Sequence, residues 1–210
     1  MSGRIKAVVF DMGRVLIDFD PAYFIGCLGI FGEDVRKLER EVFQSVEWAM
    51  LDRGSISETD AVKAMQKRLP DHLHEAARTL VSMQERPIIE MEGMAGIIRE
   101  LKENGYRIYL LSNASLRQHD YWPKVPASEY FDGTLISADA GLVKPQPELY
   151  RLFLERFGLC AEECFFIDDS IMNVEAAYLV GMTGMVYHRD ASEVRQKLQE
   201  AGVVIGSAYH

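Results

Sequence analysis

Short runs of consecutive apolar residues recur along the chain, and each ends abruptly at polar side chains. The runs at 7–10, 108–111 and 164–167 lead into Asp11, into Ser112 and Asn113, and into Asp168 and Asp169. Runs of this length predict strands that are buried on both faces, as in a parallel sheet. Because the carboxyl ends of parallel strands meet at one edge, we expect these polar side chains to lie together there.

Between the predicted strands, apolar residues recur at the spacing of an amphipathic helix. Met94, Ile97, Ile98 and Leu101 share one helix face, and Gly105 is placed to end that helix. Further helices are predicted at 148–157, 172–180 and 192–201, and further strands at 134–136, 184–187 and 203–205. Strands that alternate with helices indicate an α/β fold built on a parallel sheet with right-handed crossovers.

Residues 18–87 show helical spacing and no convincing strand. Asp20 and Pro21 form the N-cap and first turn of one helix, and Ser57 with Asp60 resembles a capping box that opens another through residue 69. A further helix is predicted at 73–83. We therefore predict an all-helical insert of three to four helices at 18–87, directly after the first strand, and a core domain made of 1–17 and 88–210.

Composition and charge narrow the class of protein. The chain has 210 residues, 48% of them hydrophobic, and a formal net charge of −9. This acidic balance argues against nucleic acid or an anionic membrane as the partner. The N-terminus lacks a signal-peptide pattern, and the three cysteines form neither a disulfide framework nor a zinc site, so we expect a cytoplasmic protein with reduced thiols. A monomer or a homodimer is expected.

The polar residues at the strand ends, together with Lys144 in a loop, suggest phosphate chemistry. Crowded carboxylates repel one another unless a cation lies among them, and oxygen ligands suit Mg²⁺, which also binds phosphate. A carboxylate such as Asp11 can act as the nucleophile toward phosphorus. The alternative for each strand-end aspartate taken alone is an ordinary turn cap. Gly13, two residues after Asp11, marks a sharp turn or a close backbone approach.

Four segments in this order resemble the motifs of the haloacid dehalogenase-like hydrolase superfamily. They are residues 10–15, 111–113, 143–145 and 167–169, which read FDMGRV, LSN, VKP and IDD. The resemblance spans nearly the whole chain and implies a Rossmann-like parallel sheet with a small helical cap of the family's first type. Trp122 and Pro123 after the second motif resemble the branch of bacterial α-D-glucose-1-phosphate phosphatase and the N-terminal phosphatase domain of soluble epoxide hydrolase.

The resemblance implies a role for each motif residue. Asp11 resembles the nucleophile and a metal ligand, and Lys144 the lysine that balances charge. The backbone carbonyl of Gly13 and the carboxylate of Asp169 would bind Mg²⁺. Ser112 and Asn113 resemble phosphate binders, and Asp168 resembles the supporting member of the acidic pair. Outside the resemblance, Arg14 is a candidate for phosphate binding and Asn173 a candidate for support of the metal site.

Two positions depart from the family pattern. Most phosphatases of the superfamily carry a second aspartate, the general acid and base, where this chain has Gly13. The proton donor is therefore unassigned: water, a cap residue or nothing takes its place. Arg14 stands where the similar branch has asparagine, and either phosphate binding or a solvent-exposed position is open to it.

The implied function is Mg²⁺-dependent hydrolysis of a small phosphate ester, with a sugar phosphate among the candidates, through an aspartyl-phosphate on Asp11. Two alternatives stay open. A haloacid dehalogenase needs no metal, so the acidic pair Asp168 and Asp169 argues against it. A binding or regulatory protein without turnover is disfavoured because Asp11, Lys144 and Asp169 are all present.

Overall fold

A computed structural model describes residues 4–82 and 87–206 of the chain. Its centre is a five-stranded parallel sheet with the strand order β3-β2-β1-β4-β5. The strands are β1 Ala7–Phe10, β2 Arg107–Ser112, β3 Gly133–Ile136, β4 Cys164–Asp168 and β5 Thr183–Val186. The predicted α/β fold with a parallel sheet is confirmed.

Eleven α-helices accompany the sheet in the described part of the chain. In order they are α1 Pro21–Cys27, α2 Glu33–Leu38, α3 Val46–Asp52, α4 Glu58–Gln66, α5 His74–Ser82, α6 Met94–Glu103, α7 Gln118–Tyr121, α8 Ser137–Ala140, α9 Pro147–Phe157, α10 Ile171–Leu179 and α11 Ala191–Glu200. A π-helical turn, Glu39–Phe43, continues α2, and 3-10 turns lie at Asp71–Leu73, Trp122–Lys124, Ser128–Tyr130 and Ala161–Glu163.

The sheet is covered on both faces, which explains its continuous apolar runs. Val8 and Phe10 of β1 face one hydrophobic cluster, which includes the apolar side of α6 and of α11. Ala7 and Val9 face the other, with the buried residues of α9 and α10. Both faces of β1 are therefore covered by helices, and Asp11 is the first residue after the strand.

A separate hydrophobic cluster is formed by residues of α1 to α5 and the turns between them. The side chain of Asp20 caps α1, with Pro21 in the first turn, as predicted. Ser57 caps α4, which ends at Gln66 rather than at the predicted residue 69. Five α-helices lie here instead of three to four, and Met83, the predicted end of the last one, is outside the described residues.

Two connecting segments between this helical region and the sheet run side by side. The backbone N–H of Asp18 donates to the carbonyl of Ile89 at 2.8 Å, and the N–H of Met91 donates to Leu16 at 2.9 Å. The chain thus leaves and re-enters the sheet at one place, next to the end of β1.

The predicted strand at 203–205 is wrong. Val203 and Ile205 are buried and Val204 is exposed, so the segment has the alternation of a strand. Its backbone is instead bonded by side chains: the Tyr106 hydroxyl accepts from Val204 N–H at 2.8 Å, and Gln199 donates to the Ile205 carbonyl at 2.8 Å. No helix in the described residues is long and apolar enough to cross a membrane.

Candidate functional site

Asp11 lies at the centre of the sheet edge where the strands end. It follows β1, the middle strand, and its backbone N–H donates to the carbonyl of Ile167 in β4 at 2.9 Å. The residue is only 8% exposed. The central strand therefore holds a carboxylate at the floor of the site, with its backbone fixed by the neighbouring strand.

Lys144 joins the carboxylates of two adjacent strands. Its Nζ donates to Asp11 Oδ1 at 2.7 Å, to Asp168 Oδ2 at 2.6 Å and to the carbonyl of Leu111 at 3.0 Å. The lysine is 4% exposed, so these three acceptors meet the full donor capacity of its ammonium group. Buried between two carboxylates, it keeps a pKa raised above its ordinary value despite the opposing effect of burial.

Asn113 positions the lysine from the end of β2. Its Oδ1 accepts from the Lys144 backbone N–H at 2.7 Å, and its Nδ2 donates to the Lys144 carbonyl at 3.0 Å. The side chain thus has one amide hydrogen left for a ligand. Ser112 is 1% exposed and does not line the cavity over Asp11, whereas the described residues that follow it, Asn113 to Ser115, do.

The two carboxylates at the end of β4, Asp168 and Asp169, have different surroundings. Asp168 is fully buried; besides Lys144, its Oδ1 accepts from the Ser170 N–H at 2.8 Å and from Asn173 Nδ2 at 2.9 Å. Asp169 lines the cavity, and its nearest cationic atom in the described residues is Arg14 Nη1 at 3.7 Å. The Asp168 carboxylate is therefore hydrogen-bonded within the protein, and Asp169 lines the cavity.

The backbone at Gly13 and Arg14 differs from what the residue types suggest. The left-handed backbone is at Arg14, with φ of 61°, and not at Gly13. A Cβ on Gly13 would meet only the Cβ of Phe19, at an ordinary 3.9 Å. The chain does turn directly after Gly13, with the positive φ on the next residue, and a close backbone approach to a ligand at Gly13 stays a prediction. Arg14 is half exposed, contacts Asp169, and lines the cavity.

The cavity over Asp11 has a volume of about 290 Å³. Its walls combine the sheet edge with residues of the helical region, among them Phe19, Trp48 and Asp52. Asp52 ends α3. The sequence predicts no role for it, because nothing in its local pattern distinguishes it from any polar residue at a helix end. Burial, and secondarily the charge of Asp11, raise its pKa from 3.8 to about 7.

The acidic residues fit a divalent cation. One carboxylate oxygen from each of Asp11, Asp168 and Asp169 lies within 4.8 Å of the others. Burial raises the pKa of Asp11 to about 7, against the effect of Lys144, and burial together with Asp168 raises the pKa of Asp169. A cation among these oxygens would stabilise the ionised forms of Asp11 and Asp169 against burial and mutual repulsion. An all-oxygen donor set with few protein ligands suits Mg²⁺.

His119 and Trp122, which follow the second motif, lie outside this cavity. His119 is exposed, and its Nε2 is 3.1 Å from Asp139 Oδ1. Trp122 packs edge-on against Phe131, with ring centroids 5.0 Å apart. Neither side chain lines the cavity over Asp11 among the described residues, so the structure gives them packing and surface roles.

Comparison with known proteins places this arrangement in a family. The family model described as haloacid dehalogenase-like hydrolase matches residues 5–181. A sesquiterpene phosphatase from Aspergillus oryzae is 30% identical over 193 residues, which cover 88% of this chain and 91% of that protein. The chloroplastic flavin mononucleotide hydrolase 1 of Arabidopsis thaliana is 28% identical over 204 residues, which cover 95% of this chain and 79% of that protein.

A solved structure agrees in fold. It is a HAD family enzyme from Bacteroides thetaiotaomicron in complex with magnesium and inorganic phosphate. The two chains superpose with a TM-score of 0.69 at 23% sequence identity, and the match covers 90% of this chain and 98% of the other. At this level of identity the likeness concerns the fold, and the chemistry has to be argued from the residues.

Proposed function

The chain belongs to the haloacid dehalogenase-like hydrolases and is a phosphoric monoester hydrolase, and we propose that it transfers the phosphoryl group of a small metabolite to Asp11. The observation that carries this proposal is the cluster of the Asp11, Asp168 and Asp169 carboxylates, the first two of which accept hydrogen bonds from Lys144 Nζ. The metal-binding part of that cluster has no use in a dehalogenase, which requires one nucleophilic carboxylate and no cation. A cavity that opens directly onto Asp11 disfavours a protein that only binds.

The residues divide the work of the reaction. Asp11 Oδ attacks phosphorus, the bond from phosphorus to the leaving oxygen breaks, and water later releases inorganic phosphate from the aspartyl-phosphate. Lys144 holds Asp11 in place and lowers its repulsion of the incoming phosphate. Arg14, the remaining amide hydrogen of Asn113 and the backbone N–H of Ser115 would bind phosphate oxygens, whereas the N–H of Ala114 is bonded to Ser137.

Mg²⁺ would be held by the carboxylates of Asp11 and Asp169 and by the carbonyl of Gly13. When bound, it supplies positive charge against the phosphate oxygens. Asp168 and Asn173 would support these ligands without binding the ion, since Asn173 donates to Asp168 and Asp168 accepts from Lys144. Such supporting residues orient the ligands without touching the ion.

We further propose that residues 18–87 form a cap over a core made of 1–17 and 88–210. The separate hydrophobic cluster of α1 to α5 and the paired connecting segments at Asp18 and Ile89 support this division. The cap contributes Phe19, Trp48 and Asp52 to the cavity, so it would determine which leaving group fits. Residues 1–3, 83–86 and 207–210 lie outside the described residues.

A panel of phosphate esters tests the proposed activity. The panel contains sugar 1- and 6-phosphates, flavin mononucleotide, a sesquiterpenyl phosphate and an aryl phosphate, each assayed with Mg²⁺ and with a chelator. We expect phosphate release that requires the metal. A chlorinated carboxylic acid serves as the dehalogenase substrate, and halide release without phosphate release would contradict the proposal.

The two carboxylates at the end of β4 are expected to differ in their effect on metal affinity. Asp169→Ala removes an oxygen that faces the cavity, whereas Asp168→Ala removes one already bonded to Lys144, Ser170 and Asn173. We expect Asp168→Ala to weaken Mg²⁺ binding by about 10–100-fold, the range typical of supporting residues, and Asp169→Ala to weaken it further. Isothermal titration of Mg²⁺ measures both, and the reverse order would refute the assignment.

A further inference from the structure

The proposed reaction needs a proton donor for the leaving oxygen, and Gly13 has no side chain to provide one. Lys144 is fixed by three acceptors deep in the floor of the site. His119, the histidine that follows the second motif, is exposed and paired with Asp139 outside the cavity. The residues of the helical region that line the cavity include Phe19, Trp48 and Asp52, and of these Asp52 carries an ionisable side chain.

The position of Asp52 is fixed by contacts with the sheet domain. Its backbone carbonyl accepts a hydrogen bond from the hydroxyl of Ser137, a fully buried residue at the start of α8. The same hydroxyl accepts from the N–H of Ala114 at 2.9 Å, in the loop that follows β2 and lines the cavity. Ser137 thus connects the end of α3 directly to the loop beside Asp11.

Gly54 allows this close approach. Its φ is +71°, and a Cβ there would lie 2.5 Å from the backbone oxygen of Ala138, so a side chain at residue 54 would push the loop away. The turn after α3 is therefore shaped to lie against α8. Asp52 is held at the cavity by a hydrogen bond on one side and a glycine contact on the other.

The carboxyl group of Asp52 is free to serve a ligand. Within the described part of the chain, no side chain donates a hydrogen bond to it. The charged groups that line the same cavity are Asp11, Arg14, Lys144 and Asp169. Burial first, and Asp11 second, favour its protonated form and raise its pKa to about 7. Burial in this cavity therefore favours the protonated carboxyl, the form that a general acid needs.

We propose that Asp52 is the general acid and base of the reaction, in the role that Gly13 leaves vacant. This inference rests on the proposed function. As the bond between phosphorus and the leaving oxygen breaks and Asp11 Oδ bonds to phosphorus, the Asp52 carboxyl gives its proton to the leaving oxygen. In the second step the Asp52 carboxylate takes a proton from the attacking water, the bond from phosphorus to Asp11 Oδ breaks, and phosphate and a protonated Asp52 result.

A series of phosphate monoesters graded by leaving-group pKa tests this role. For Asp52→Asn with alkyl phosphates, we expect kcat/KM to fall by about 10²–10⁴-fold, the contribution typical of a general acid. With nitrophenyl phosphate, whose leaving group needs no proton, the variant should stay within a few-fold of wild type. A plot of log kcat/KM against leaving-group pKa should therefore be shallow for wild type and steep for Asp52→Asn.

The pH dependence of kcat/KM is a second test of the role of Asp52 as proton donor. Asp52 must be protonated to donate, so wild-type kcat/KM for an alkyl phosphate should decline as pH rises through about 7. That decline should be absent in Asp52→Asn. The rise at lower pH, which reflects ionisation of Asp11 and of the phosphate ester, should be present in both proteins.

Three further variants complete the test. His119→Gln is the matched control, since that side chain does not line the cavity, and its plot should match wild type. Asp52→Glu keeps an acid and should keep the shallow plot, which preserves the test if Asp52→Asn does not fold. In Gly13→Asp combined with Asp52→Asn, the new carboxyl has room beside Phe19 and should restore a shallower plot.

Two results would overturn the role of Asp52. One is an equal loss on every ester, since a proton donor matters least for the best leaving groups. The other is an unchanged plot in Asp52→Asn. If the wild type releases phosphate from no ester, the proposed function itself is refuted, and the role of Asp52 falls with it.

Discussion

Asp11→Asn is expected to lower kcat by between about 10⁴- and 10⁶-fold, the loss typical of removing a catalytic nucleophile. The amide is nearly the same size as the carboxylate but has no charge with which to attack phosphorus. Its oxygen can still accept from Lys144 Nζ, now at 2.7 Å from Asp11 Oδ1. Because the change also takes one charge out of a crowded acidic cluster, the melting temperature should stay the same or rise.

The matched control for this substitution is Asp139→Asn. Asp139 is paired with His119 outside the cavity, so its conversion to the amide should leave phosphate release near the wild-type rate. Phosphate release is measured with the same ester and the same Mg²⁺ concentration in all three proteins. Near-normal turnover by Asp11→Asn would remove Asp11 from the reaction and refute the proposed mechanism.

Lys144→Met is expected to impair both folding and catalysis. The methionine fills a similar volume but leaves the buried carboxylates of Asp11 and Asp168 without their shared cation. Removing one partner of a buried ion pair costs about 3–5 kcal/mol in the free energy of unfolding, because a desolvated charge is left uncompensated. Turnover should fall by about 10²–10³-fold or more, since a positive group beside the reacting oxygens is lost as well.

Urea unfolding and phosphate release measure the two effects on one preparation. Lys6→Met is the control, because Lys6 makes an exposed ion pair with Glu163 and such pairs contribute at most about 1 kcal/mol. Mg²⁺ should restore part of the stability of Lys144→Met by neutralising the same carboxylates. A variant as stable and as active as wild type would show that Lys144 does not hold the site together.

The strands and their functional ends could be predicted because one physical pattern fixes both. The apolar runs before Asp11 and Asp168 are continuous since each strand is buried on two faces, and the first polar residue must stand where the sheet ends. Parallel pairing of β1 with β4 then brings those two residues together. Local sequence and the geometry of parallel sheets are therefore sufficient to predict that these two residues meet.

The segment at 203–205 shows where a local pattern is insufficient. Its alternating burial is that of a strand, but strand formation also requires a neighbouring backbone with free donors and acceptors. Here the side chains of Tyr106 and Gln199 take those bonds instead. The positive φ at Arg14 is a similar case: the Gly13 beside it is the residue that the sequence favours for such a conformation.

Asp52 could not be found from one sequence for a different reason. The pattern around it describes the end of a helix, and its place over Asp11 depends on a hydrogen bond from Ser137, 85 residues away in the chain. Asn113 is similar, since its strand-end position suggests a phosphate ligand but its amide is bonded to the backbone of Lys144. Long-range contacts of this kind decide roles that residue type leaves open.

The most direct test of the central claim is to trap the phosphoryl group on Asp11. The wild-type protein is mixed with a substrate ester and Mg²⁺, quenched in acid within one turnover, digested and examined by mass spectrometry. We predict that the peptide containing Asp11 gains the mass of one phosphoryl group, that a reductive label marks Asp11 itself, and that Asp11→Asn shows neither. An unmodified peptide, with the phosphoryl group on another residue or on none while phosphate is released, would contradict the account.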